Sequence, residues 1–231
     1  MGKKKKEFWN KEYANATHLA LSDVHSEDLE KFTRFLIRKS GKQFLNVTTR
    51  LVDIGCGNGR NAIFLSQNFG MHGLGYDSSD IAIKEARKNA EGLPLTFEKR
   101  SMSETIPLPD ASVTIALDMM ASHVLKQKER ETLRTEITRV LKPGGWLFFK
   151  TFLLDGDKNA EELLEKYPAE ENGMYIHPEI GVAEYVWSEE ALYSFFEPYF
   201  TIHKLERSHK HINKKGGAWK RRTASLYLEK Q

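Results

Sequence analysis

The chain has 231 residues, of which 40% are hydrophobic and 29% charged, and it carries a net charge of +3. This length and balance suit one large domain with a substantial core and exclude a wholly disordered chain. No apolar run approaches a membrane span, and the single cysteine, Cys56, excludes an internal disulfide and suits a reducing cytoplasm.

The opening "MGKKKKEFWN" is charged but leads into no apolar segment, so it does not read as a secretory signal. Lys6 stands where a myristoylation motif on Gly2 needs Ser or Thr. The run Lys3–Lys6 reads as a solvated, poorly ordered tail. "SEDLEKFTRFLIRKSG" predicts a helix: Ser26 can cap it, Glu27 and Asp28 suit its first turn, and Gly41 can end it. Leu29, Phe32 and Leu36 recur at helical spacing and should face the core.

A strand at Leu51–Ile54 leads into the glycine-rich "GCGNGR", then a helix from about Arg60 to Phe69 and a second strand ending at Tyr76. "SSDIAIKEARKNAEG" is a helix with Ser78 or Ser79 as cap and Gly92 just past its end. "LTFEK" and the more apolar "SVTIALDMM" are the third and fourth strands, Glu129 to Leu141 is helical, "KPGG" is a turn, and "WLFFKTF" is the fifth strand. The end differs: after a helix at "EEALYSFFEPY", "FTIHKLERSH" and "RTASLYLEK" are successive strands and should pair antiparallel. The expected fold is therefore α/β: a doubly wound, Rossmann-like, seven-stranded sheet, mostly parallel with the last strand antiparallel, order 3-2-1-4-5-7-6. With no repeat or linker, residues 1–231 read as a single domain, with 1–45 as an N-terminal helical cover and 155–187 as an insert.

The glycine loop decides which ligand class the fold should hold. A dinucleotide site has the spacing G-x-G-x-x-G, with a pyrophosphate on the helix N-terminus. Here the glycines are Gly55, Gly57 and Gly59, and Arg60 stands where the third dinucleotide glycine belongs. Asp53, two residues before the loop, would repel a pyrophosphate but would suit an ammonium group, while Arg60 would suit a carboxylate. S-adenosylmethionine carries both groups and a nucleoside. Cys56, inside the loop, reads as a small residue at a tight turn rather than a catalytic thiol.

"VDIGCGNGR" has the D-x-G-x-G-x-G spacing of the class I methyltransferases and resembles their first motif; "LPD" at Leu108–Asp110 and "RVLKPGGWLFF" at Arg139–Phe149 follow in the family's order. "GCGNGRNAIFL" is also locally similar to the small-molecule branch that includes tellurite- and thiol-type methyltransferases. The resemblance implies S-adenosylmethionine as methyl donor, S-adenosylhomocysteine as product and no metal. It implies a cofactor site from Asp53, Gly55, Cys56, Gly57, Gly59, Arg60, Asp77, Ser78, Ser101, Met102 and Asp118. Asp77, closing the second strand, would accept both ribose hydroxyls. "RSMSE" lacks the acid that family members often place near the adenine, leaving Ser101, Met102 or a backbone carbonyl. The first segment, with Trp9 and Tyr13, would cover the cofactor.

Methyl transfer needs alignment and exclusion of water, and needs a base only where the acceptor must lose a proton. His123, in "DMMASHVL" after the fourth strand, is the candidate base, the other reading being a histidine that satisfies a helix start. Tyr175, His177, Glu184 and Tyr185 in the long insert are candidate acceptor contacts. The basic hairpin "SHKHINKKGGAWKRR" adds His209 and Trp219, and its Lys214, Lys215, Arg221 and Arg222 suggest an anionic acceptor or RNA. No N/D-P-P-Y/F motif follows the fourth strand, which lowers a base-modifying role. The expectation is a methyltransferase for a small-molecule acceptor, without membrane partners, as a monomer or weak homodimer. RNA methylation and a non-catalytic cofactor- or nucleic-acid-binding scaffold are the alternatives.

Overall fold

The computed structural model describes residues 3–18, 21–208 and 221–231. His209, Lys214, Lys215 and Trp219 lie outside them. In the described residues, strands β1 (Arg50–Ile54), β2 (His72–Asp77), β3 (Leu95–Lys99), β4 (Val113–Met119), β5 (Leu141–Phe152), β8 (Phe200–Arg207) and β9 (Thr223–Lys230) form one seven-stranded sheet. Its order is β3-β2-β1-β4-β5-β9-β8. β9 runs antiparallel to both neighbours, and the other pairings are parallel. This is the expected order once two short strands in the insert, β6 (Met174–Ile176) and β7 (Ala183–Tyr185), are counted; they form a hairpin of their own.

The central strands are apolar on both faces because helices cover both. Along β1, Leu51 packs with α2 (Glu27–Ser40), α3 (Arg60–Phe69) and α4 (Asp80–Asn89). Val52 and Ile54 point the other way, to α5 (Gln127–Val140) and α7 (Glu189–Phe196). β5 repeats the alternation, with Trp146 and Phe148 on the first face and Leu147 and Phe149 on the second. Leu29, Phe32 and Leu36 of α2 are buried at the expected spacing. Phe32 stacks on Phe148 at 4.9 Å between centroids and meets Tyr227 edge-on at 5.0 Å.

Several local expectations need correction. Lys3–Lys6 belong to helix α1 (Lys3–Ala14) rather than to an unstructured tail. Ser26 occupies the N-cap position of α2 but its hydroxyl makes no capping bond; its backbone N–H instead donates to Asn61 Oδ1 at 3.1 Å. "KPGG" lies within β5, as an irregularity that moves the pairing from Val113↔Leu141 to Ile115↔Trp146, rather than as a separate turn. The insert is also more ordered than a loop: Asp157 caps α6 (Lys158–Lys166) through Asn159 and Ala160 N–H before the hairpin. Ser79, by contrast, caps α4 as expected, accepting from Ala82 N–H.

Truncating Phe32 to Ala should lower the unfolding free energy by about 3–5 kcal/mol, the usual range for a buried phenylalanine. Urea denaturation measures this, and a loss below about 1 kcal/mol would mean that α2 is not anchored on the sheet through this ring.

Candidate active site

The C-terminal ends of β1, β2 and β4 converge beside the glycine loop. Gly55, Gly57 and Gly59 all have left-handed backbone, with φ of 64°, 56° and 80°. Each also approaches a different neighbour. A Cβ at Gly55 would fall 2.5 Å from Ala121 Cβ, one at Gly57 2.3 Å from the Tyr13 hydroxyl, and one at Gly59 2.8 Å from Phe97 Cζ. The loop is tied to β2 by Cys56 N–H donating to Tyr76 O at 3.0 Å. Asp77 accepts from Gly57 N–H at 3.2 Å and from Ser79 N–H at 2.8 Å.

A cleft with an empty volume of ≈ 440 Å³ opens here. Gly55, Asp77, Ser78 and Met102 form one side of its lining, and Trp9, Tyr13, Met120, Ala121 and Val124 complete it. Met120 reaches it from left-handed backbone, φ 59°, which is costly for a residue with a Cβ; its N–H is held by Lys150 O at 2.8 Å. Neither Met120 nor Val124 carried a sequence signal, since their exposure to the cleft depends on how the chain leaves β4.

Asp53 is 2% exposed, and its Oδ2 has no hydrogen-bond partner. Burial pushes its carboxyl up to about 7; the Ala62 N–H works against this, and the Asp77 and Asp118 charges work with it. Asp118 is likewise raised by burial, to about 6, against hydrogen bonding from Ser122. Its Oδ1 accepts Ser122 N–H at 3.1 Å, so Asp118 shapes the turn after β4 and is absent from the cleft lining. Burial also raises Asp77, against the N–H donors of Ser79 and Gly57.

The N-terminal segment covers the loop through specific bonds. Asn10 Oδ1 accepts from Ser79 Oγ at 2.7 Å and Asp80 N–H at 3.0 Å. Buried Glu12 gathers Thr17 Oγ1 at 2.8 Å and His18 N–H at 2.9 Å. Asn58 Nδ2 donates to Ser22 O at 3.2 Å and Asp23 Oδ1 at 3.0 Å. Arg60 Nη1 donates to Val24 O at 2.9 Å and Ser22 O at 3.4 Å. Arg60, expected to meet a ligand carboxylate, therefore pins this segment instead.

Other expected contacts are displaced for equally local reasons. The Ser101 hydroxyl is paired with Ser103 Oγ at 2.8 Å within its own turn. Cys56 is buried, with its thiol pushed up by burial, and is a packed neutral residue. His177 Nδ1 accepts Glu179 N–H at 3.3 Å inside the insert hairpin. Tyr185 lies under the Arg130 guanidinium, 3.7 Å from its ring centroid, beside a separate surface groove.

A second buried polar cluster lies behind the cleft wall. The Tyr175 hydroxyl bonds Glu184 Oε2 and receives Arg221 Nη1. His123 Nε2 lies 3.7 Å from Glu184 Oε1, and Arg221 Nε lies 3.5 Å from Asp157 Oδ2. Arg221 and Arg222, expected on a nucleic-acid-binding loop, thus turn inward: Arg222 N–H donates to Asp157 Oδ2 at 2.8 Å and its Nη1 to Asp155 O at 2.6 Å. His123 is not among the cleft-lining residues, but it stands in the 122–124 turn between Ala121 and Val124, which are. Among the described residues there is no cluster suited to a metal ion, and no helix is long and apolar enough to cross a membrane.

Residues 51–145 match the family profile of a methyltransferase domain. The fatty-acid O-methyltransferase of Mycolicibacterium smegmatis is 26% identical over 145 residues, 62% of this chain and 51% of that protein. The 27-O-demethylrifamycin SV methyltransferase of Amycolatopsis mediterranei is 32% identical over 142 residues, 59% of this chain and 51% of the relative. The matched part of the chain thus spans about half the length of each. A methyltransferase structure from Methanosarcina mazei superposes with a TM-score of 0.67 at 23% identity, covering 81% of this chain and 95% of that one. The 1,6-didemethyltoxoflavin-N1-methyltransferase of Burkholderia thailandensis, solved with its acceptor and S-adenosylhomocysteine, gives 0.71 at 16% identity, covering 98% and 87%. At these identities the structures show the shared fold.

The raised Asp53 sets a pH dependence. Its folded value lies above the roughly 3.9 of an unfolded aspartate, so the native state holds a proton that the unfolded chain releases. The stability this group contributes is present at low pH and is lost as pH rises from about 4 towards about 7. The unfolding free energy of Asp53→Asn relative to the ligand-free parent should therefore grow across that window and level off above it. Urea denaturation from acidic to mildly alkaline pH reads this, and a flat difference would exclude a proton on Asp53.

Proposed function

Because residues 51–145 match the profile of a methyltransferase domain, we propose that this chain is a class I S-adenosylmethionine-dependent methyltransferase that transfers a methyl group to a small-molecule acceptor bound in the cleft of Trp9, Met120, Ala121 and Val124. The observation that carries the reading is the partnerless, buried Oδ2 of Asp53 behind a loop of three left-handed glycines. An ammonium group is the partner that such an oxygen lacks, and a pyrophosphate is the one it would repel.

The residues fit the donor as follows. Asp53 would receive the amino group, and the side-chain-free Gly55 and Gly57 would let the ligand approach the backbone. Asp77, fixed by two backbone N–H groups and open to the cleft, would accept the ribose hydroxyls, with Ser78 beside it. Met102, lining the cleft 3.3 Å from the position of a Gly55 Cβ, would pack against the adenine side. When bound, S-adenosylmethionine supplies a methyl group already activated on a sulfonium, so the chain's part is alignment and the exclusion of water. Trp9, Met120, Ala121 and Val124 do the latter, giving the acceptor side a largely apolar wall. We read residues 1–45 as the cover, 155–187 as the insert that shapes the acceptor side, and both as parts of one catalytic domain. The named acceptors of the relatives, a fatty acid and a rifamycin, support a small organic acceptor.

S-adenosylhomocysteine should raise the melting temperature while NAD leaves it unchanged; the reverse preference would sink the reading. In Asp77→Ala, calorimetric affinity for S-adenosylmethionine should fall by about 2–4 kcal/mol, the cost of two hydroxyl bonds to an ionised carboxylate that the ligand would enclose. Unchanged affinity would remove Asp77 from the site.

A further inference from the structure

The turn that leaves β4 combines strained backbone with a long side chain. Among the described residues only Ala111 and Met120 hold positive φ without being glycine, at 47° and 59°. Ala111 lies on an exposed turn, where its N–H donates to Arg139 O at 2.9 Å. Met120 is half-buried and stands in the cleft wall. Glycine or asparagine is the ordinary choice for left-handed backbone, because a Cβ there crowds the chain. A long side chain kept in that conformation at the edge of a cleft points to a use for the side chain itself.

The fold does not need that side chain to hold the turn. Met120 N–H donates to Lys150 O at 2.8 Å, and Ser122 N–H donates to Asp118 Oδ1 at 3.1 Å. Between them Ala121 packs on the bare face of Gly55, where a Cβ would come within 2.5 Å of Ala121 Cβ. Met119 packs on the core of the α2 face, whereas Met120 is in no core cluster of the described residues.

What Met120 borders is apolar. Trp9, Ala121 and Val124 share its wall, and Asp77 is the carboxylate in the lining. The cations beside the cleft are committed elsewhere. Lys150 accepts the Met120 N–H through its backbone but turns its Nζ to Asp28 Oδ2 at 2.6 Å. Arg60 donates to the Val24 and Ser22 carbonyls. An ionised group at this wall would lose its hydration with no cation among the described lining residues to replace it. An apolar ring or chain would instead gain contact with an unbranched, polarisable thioether.

We propose that Met120 is a specificity-determining residue: the left-handed turn holds its thioether against the methyl acceptor and selects one that is apolar and uncharged beside the reacting atom. This rests on the methyl-transfer reading above and narrows its small molecule to a neutral aromatic or aliphatic compound that bears the nucleophile. Strained backbone is what this selectivity costs the fold; glycine would relieve the strain and leave the wall open. The basic segment that suggested an anionic acceptor sends Arg221 and Arg222 into the interior, away from this wall.

Methionine-methyl carbon-13 NMR on the chain loaded with S-adenosylhomocysteine tests this with three probes of one shape: benzamide, benzoate and benzylammonium. The Met120 signal, assigned by its loss in Met120→Gly, should shift with benzamide at about a tenth of the concentration that either ion needs, since an ion must shed its hydration to enter. Met120→Gly keeps the turn and removes the wall. Benzamide binding, read through Met102 in the same cleft, should then weaken about tenfold, the scale of one buried apolar side chain. Met120→Leu, apolar and similar in volume, should bind benzamide within about threefold of the parent. A residue needed only for the turn would give the opposite order, with Gly above Leu. Met120→Ala serves if the glycine variant does not fold. Either ion shifting Met120 as readily as benzamide, no shift with any of the three probes, or benzamide binding unchanged on truncation overturns the specificity role. Failure of the wild-type chain to bind S-adenosylhomocysteine by calorimetry would instead remove the methyl-transfer reading on which the role rests.

Discussion

Three left-handed glycines in five residues are the constraint on which the rest of the structure depends. A loop of that shape has lost its side chains where it passes Ala121, Tyr13 and Phe97, so its neighbours crowd onto bare backbone. It keeps the shape because the strand beside it supplies partners: Tyr76 takes one N–H and Asp77 another. The turn after β4, the N-terminal segment and the packing of α4 on β3 are each fitted to one of those three glycines. A side chain at any of the three would displace a different element.

The fold was legible where local chemistry and tertiary demand agree. Apolar strands covered on two faces, capped helices and a glycine loop each have a short-range signature, and the alternation of elements dictates a parallel sheet. The hairpin at 174–185 was not, because three-residue strands show too little alternation to separate from a turn. "KPGG" was misread because proline and glycine ordinarily end a strand, whereas here they make an irregularity that the sheet absorbs.

The site divides in the same way. Asp53, Asp77 and the glycines are recognisable because their spacing within one βαβ unit is itself the signal. Arg60 and Arg221 are not, because a guanidinium has several uses and its partner is chosen by segments 36 to 64 residues earlier in the chain. Arg60 reaches back to Val24, and Arg221 reaches Glu184 and Asp157. A cluster of cations in sequence therefore read as a surface, when two of its members complete an interior.

The acids at the ends of β1, β2 and β4 have a further consequence. At the carboxyl ends of these strands Asp53 and Asp118 are buried and Asp77 is half-buried, desolvation raises the proton affinity of all three, and the charges of Asp77 and Asp118 add to the effect on Asp53. The Arg60 guanidinium, which acts on Asp53, is spent on backbone carbonyls. A cation placed at this edge would favour the ionised forms that burial disfavours, so the acids prefer a positively charged partner. Two ligands of equal outline would be sorted there by charge, and one that loses a positive charge while bound would be held less firmly afterwards. Under the methyl transfer proposed above, in which a charged reagent would be taken up and a neutral remnant let go, the same acids would favour both entry and departure.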